Sequence, residues 1–133
     1  MTLAVLDTSA MIRFYIPDGP LPQDLENYID AAWKAEATIM TPELALAEFT
    51  QVLWKKEQAG YITPDELNHI LSAFLELPLK IAGHYDLLPE ALIIARRHQL
   101  TVYDALFLAL AAKREAILIT ADQRLAKAFG RLN

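Results

Sequence analysis

Leu3-Ala4-Val5-Leu6-Asp7-Thr8-Ser9 is an apolar run of four residues that stops at an acid followed by two hydroxyls. A short, wholly apolar run suits a strand of a parallel sheet covered on both faces. Ile117-Leu118-Ile119-Thr120-Ala121-Asp122 repeats the arrangement near the other end. Thr38-Ile39-Met40 and Leu79 to Ala82 read as two more strands. Helical patterns stand between them, and no hairpin signal such as Asn-Gly occurs. Strands alternating with helices predict a three-layer α/β/α sandwich around a small, mostly parallel sheet.

The helices have recognisable ends. Ser9 to Ile16 forms a short helix stopped by Pro17-Asp18-Gly19-Pro20, and Gln23 to Ala37 a second. Thr41-Pro42 is expected to open a long helix to Ala59, with Thr as cap, Pro in the first turn and Gly60 as terminator. Thr63-Pro64-Asp65-Glu66 is a capping box for a helix through Leu75. Leu88 to His98 is helical. The helix from Thr101 is apolar nearly all round, which predicts deep burial. Asp122 to Phe129 is the last helix.

At 133 residues the chain is expected to be a single domain, 1–133. No run of about 18 apolar residues appears, so no membrane span is expected, and Met1 to Asp7 lacks the features of a secretory leader. The absence of cysteine excludes disulfides and thiolate metal sites and fits a cytoplasmic location. A net charge of −5 argues against a protein that simply coats nucleic acid. His69, His84 and His98 are scattered, without the spacing of a zinc site. Trp33 and Trp54 are expected to pack against other helices. Arg13, one turn beyond Ser9, can meet a phosphate or lie in solvent.

Four acids stand out: Asp7, Glu48, Asp104 and Asp122. Each ends an apolar strand or sits in an apolar helix face, where an unpaired carboxylate is costly. No Lys or Arg lies three or four residues after Glu48, Asp104 or Asp122. Asp7 and Asp122 can cap the helices that follow, and Thr101 to Asp104 fits a second capping box. Glu48 can reach water from the edge of its stripe. Tyr103 and the apolar run after it are expected to sink the start of their helix into the protein. Gathered at one rim, the carboxylates would repel by about 4 kcal/mol per close pair. Mg²⁺ or Mn²⁺ offsets such repulsion, since both prefer carboxylate and water oxygens. Thr8, Ser9 and Thr120 stand beside the acids and can orient water there.

Leu6-Asp7-Thr8-Ser9-Ala10-Met11-Ile12, Pro42 with Glu48, Tyr103-Asp104-Ala105-Leu106-Phe107-Leu108-Ala109-Leu110-Ala111, and Leu118-Ile119-Thr120-Ala121-Asp122-Gln123-Arg124-Leu125 together resemble the PIN domain. Within it the chain is similar to the VapC-type toxins of prokaryotic toxin–antitoxin pairs. The resemblance implies an α/β/α fold and a metal-dependent endoribonuclease. It carries the acidic quartet onto Asp7, Glu48, Asp104 and Asp122, and a polar site residue onto Thr120. It also implies an RNA substrate, an antitoxin partner and a homodimer, with Phe74 or Trp54 expected at or beside a contact. One departure is Gln51, where members often carry Asn three residues after the Glu. Two rival readings are a non-catalytic interaction module on the same fold and an aspartate-nucleophile phosphatase using Asp7. The phosphatase chemistry usually wants a second Asp two positions on, where Ser9 stands.

Overall fold

The computed structural model describes residues 2–132; the readings that include Met1 and Asn133 fall partly outside it. Four parallel strands form one sheet in the order β3-β2-β1-β4: β1 (Thr2–Leu6), β2 (Ala37–Pro42), β3 (Leu79–Ala82) and β4 (Ile117–Ile119). Ala4, Val5 and Leu6 are all fully buried. Successive strand residues point to opposite faces, so helices must cover both sides of the sheet.

Seven helices supply that cover: α1 (Thr8–Tyr15), α2 (Leu25–Trp33), α3 (Leu44–Gln58), α4 (Pro64–Leu75), α5 (Leu88–His98), α6 (Val102–Arg114) and α7 (Gln123–Arg131). As its apolar circumference requires, α6 is the most enclosed. Ala105 to Ala111 are all buried, against β1 and β2 on one side and α5 on the other. Below α3 and α4, the Phe49 and Phe74 rings stack at 3.9 Å between centroids, with the Tyr15 ring edge-on to both.

Several local expectations are corrected. Thr41 and Pro42 end β2 instead of opening α3. The Thr41 hydroxyl donates to the Leu6 carbonyl at 2.9 Å, and Glu43 N–H to the Ala82 carbonyl at 2.9 Å. Sheet pairing therefore wins over the Thr-Pro helix signal, and α3 starts without a side-chain cap. The second helix stops at Trp33 because Ala35 turns left-handed at φ 59. Trp33 and Trp54 do not pack away; they are 57% and 46% exposed. Phe74, 1% exposed, is core and cannot carry a contact between chains. Tyr103 is 60% exposed, so the start of α6 lies at the surface. The Thr63–Glu66 capping box forms with both of its bonds, and Gly60 closes α3 at φ 83.

The strand order has a functional consequence. From β1 the chain moves to β2 and β3 on one side, then returns through α5 and α6 to β4 on the other. Beyond the carboxyl ends of β1 and β4, connections leave in opposite directions and open a crevice, the usual ligand position in open parallel sheets.

A candidate active site at the carboxyl edge of the sheet

Asp7 follows β1 and Asp122 lies three residues beyond β4, at the two walls of that crevice. Glu48 enters from the second turn of α3 and Asp104 from the first turn of α6. All four acids line one cleft of about 320 Å³, with Thr8, Ser9, Ile12 and Phe107 among the other wall residues. Segments far apart in sequence are thus brought to one place by the topology.

Asp7 does two jobs. Its Oδ1 accepts from Ala10 N–H at 2.9 Å and so caps α1. The Ser9 hydroxyl donates to both carboxylate oxygens, at 2.8 and 2.9 Å, and the Thr120 hydroxyl donates to Oδ2. These hydroxyls in turn accept from the β4–α7 corner: Ser9 Oγ from Ala121 N–H at 3.0 Å, Thr120 Oγ1 from Asp122 N–H at 2.9 Å. A single network therefore locks the two strand ends together. Asp7 is 4% exposed. Burial pushes its pKa from 3.8 to about 6, against the bonds from Thr120, Ala10 and Ser9, and the Asp122 charge adds to the rise. Both oxygens of Asp7 accept from donors, and Ser9 stands where an aspartate-nucleophile phosphatase usually wants a second Asp.

Glu48 is held by the Thr8 hydroxyl, which donates to its Oε1 at 2.9 Å. Burial raises its pKa too, opposed by that bond and assisted by the Asp104 charge. Asp122 Oδ1 caps α7, accepting from Arg124 and Leu125 N–H at 2.9 and 3.3 Å. Its other oxygen accepts from Arg124 Nη2 at 3.2 Å. Asp104 N–H donates to the Thr101 hydroxyl at 3.0 Å, and its carboxylate is 3.4 Å from Arg124 Nη2.

No cation stands three or four residues after these acids, but Arg124 reaches two of them from another spacing. Its Nη2 lies 3.2 Å from Asp122 Oδ2 and 3.4 Å from Asp104 Oδ2. Arg124 was missed because it stands two residues after Asp122, off the helical spacing at which ion pairs are sought. Asp18 is a second addition to the cleft. It accepts from Arg13 Nε at 3.1 Å, and Arg13 Nη1 also donates to the Pro20 carbonyl at 2.7 Å. Arg13 thus staples the loop after α1 and also lines the acidic cleft, so it does not lie free in solvent. Nothing local in Pro17-Asp18-Gly19-Pro20 signals a site.

Among the described residues, no three His, Asp or Glu side chains are close enough together to enclose an ion. The acids form an open rim instead of a closed cage. The donor set is nevertheless all hard oxygen and incomplete, and Mg²⁺ characteristically keeps several waters while taking one or two carboxylates. The residues present fit such an ion.

The model of the PIN domain family matches residues 4–130. Ribonuclease VapC3 of Pyrobaculum aerophilum is 32% identical over 127 residues, which span 94% of this chain and 93% of that protein. In fold, the chain resembles the crystal structure of PAE2754 from Pyrobaculum aerophilum, with a TM-score of 0.69 at 21% identity over 98% of this chain and 86% of the other. It also resembles Mycobacterium tuberculosis VapC20, described as a sarcin-ricin loop cleaving toxin, with a TM-score of 0.64 at 17% identity over 94% of each chain.

Proposed function

The chain belongs to the PIN domain family, and we propose that it is a Mg²⁺- or Mn²⁺-dependent endoribonuclease, the toxin of a toxin–antitoxin pair. The observation that carries this reading is the gathering of Asp7, Glu48, Asp104 and Asp122 from four separate segments onto one cleft. The similarity to Ribonuclease VapC3 over nearly the whole length of both chains supports RNA as the substrate.

One or two of the cleft carboxylates Asp7, Glu48, Asp104 and Asp122 would hold the ion, with water completing its coordination. When bound, such an ion would supply positive charge against a phosphate oxygen and make water more acidic. Ser9 and Thr120 keep Asp7 in one rotamer and favour its ionised form by donating to it. Glu48, lining the same cleft, is placed to take a proton from water there. Thr8 fixes the direction of that carboxylate.

The test is incubation of the purified chain with RNA and Mn²⁺ or Mg²⁺, in parallel with EDTA. Cleavage with metal, silence in EDTA and loss in Asp104→Asn are expected. Cleavage that ignores EDTA would remove the metal from the account, and no cleavage with any RNA would favour a non-catalytic interaction module.

A cytoplasmic location and association with a second copy and an antitoxin belong to the same proposal. Among the described residues, no helix is long and apolar enough to cross a membrane. On α3 and α4, exposed Trp54 and Leu75 are available for a contact. An amphipathic antitoxin helix would lie in a groove there and block the acids. Light scattering giving a monomer at micromolar concentration, with no binding to a neighbouring gene's product, would defeat this part.

A further inference from the structure

A chain of net charge −5 with an acidic cleft repels a polyanion, so affinity for one must come from local cations. Helix α7 concentrates them. Arg124, Lys127 and Arg131 stand at i, i+3 and i+7 on one face, all exposed, and the helix after its cap contains no acid. With His98 and Gln99 from the end of α5 they line a cavity of about 200 Å³. Among the described residues, no ion pair engages Lys127 or Arg131. Arg124 links this cavity to the acidic cleft, since its guanidinium reaches Asp104 and Asp122, which line that cleft. The cationic face therefore begins at the acids and runs roughly 10 Å away from them along α7.

We propose that Arg124, Lys127 and Arg131 form a phosphate track that holds the RNA backbone to one side of the bond cut in the acidic cleft. The proposal rests on the ribonuclease reading above. Arg and Lys side chains of this kind contact phosphate oxygens whatever the base. The track thus supplies affinity and register, while base preference arises elsewhere. Arg124 is its inner end: two exposed carboxylate contacts hold it weakly, so a phosphate or a metal ion can draw it off Asp104 and Asp122.

The experiment is fluorescence anisotropy of a labelled single-stranded RNA with the full chain in EDTA, across a range of salt concentrations. The variant is Lys127→Ala with Arg131→Ala, at exposed positions where Ala favours helix. Single-stranded binding loses about 0.7 in the slope of log K against log salt per phosphate contact. The double variant should therefore lower that slope by about 1.4 and weaken binding about tenfold or more at low salt. Lys80→Ala with Lys113→Ala removes the same charge from β3 and the far end of α6 and should leave both quantities unchanged. Equal weakening in this control pair would overturn the track, as would wild-type affinity and slope in the α7 variant. Lost binding to a protein partner with RNA binding retained would overturn it too, making the face a protein interface. Failure of the ribonuclease reading is distinguishable: a chain that binds RNA through α7 but never cuts it keeps the track and loses the reading.

Discussion

Replacing Asp7 with Asn should change the pH dependence of stability in a direction that a purely structural cap would not. The folded-state pKa of Asp7 is about 6 against 3.8 for an unhindered carboxyl. The folded protein therefore holds a proton that the unfolded chain has released between those values. As pH rises from about 4 to 6, wild type loses stability from this group, and above 6 the loss is complete. Each pKa unit is worth about 1.4 kcal/mol, so the full loss is about 3 kcal/mol. Asn does not titrate. In EDTA, the stability of Asp7→Asn relative to wild type should rise by about 3 kcal/mol between pH 4 and pH 7. Urea unfolding at stepped pH, extrapolated linearly to water, measures the difference. The absolute offset at pH 4 also reports what Asn loses in its bonds to Ser9 and Ala10. A difference that is flat with pH, or one that falls as pH rises, would refute the argument, because either means that bonds to the carboxylate outweigh its burial. Adding Mg²⁺ should steepen the contrast in the opposite sense, stabilising wild type and leaving the variant unmoved.

Thr120→Val removes a donor to ionised Asp7 and should cost about 1.5–3 kcal/mol at pH 8, shrinking as pH falls to about 6, the folded-state pKa of Asp7, as read by the same unfolding series. Arg124→Ala should change stability by less than about 1 kcal/mol, since its pairs are exposed. It should tighten Mn²⁺ binding severalfold by calorimetry, because the guanidinium and the ion compete for Asp104 and Asp122. Phe74→Ala should cost about 3–5 kcal/mol by emptying the stack on Phe49, a loss visible in thermal melts. Thr63→Ala should cost about 1 kcal/mol with its capping box gone.

Much of this architecture is legible in short local patterns. The two apolar runs that each end at an acid place Asp7 and Asp122 at the same edge, because parallel strands share a carboxyl end. The Thr63–Glu66 box and the all-apolar face of α6 announce their helices by local chemistry alone. What fails is decided by tertiary partners. Thr41 and Pro42 carry a helix-start signal, but the Leu6 and Ala82 carbonyls draw their neighbourhood into the sheet. Trp33 and Trp54 are exposed because their helices spend other faces on the core, and size alone does not predict which face wins. The carboxylates are less crowded than four unpaired acids would be. Ser9 and Thr120 hold one, and Arg124 reaches two others from a helix corner that no heptad-like spacing reveals. Capping and site roles also prove compatible: Asp7 and Asp122 each cap a helix while lining the cleft.

Anomalous diffraction from crystals of the full chain soaked in Mn²⁺ tests the central claim most directly. The account predicts a peak in the cleft at coordination distance from Asp7 and from at least one of Glu48, Asp104 and Asp122, with the Arg124 guanidinium displaced from Asp104 and Asp122. A cleft without a peak at Mn²⁺ concentrations that sustain RNA cleavage, with Arg124 still seated on both carboxylates, would contradict it.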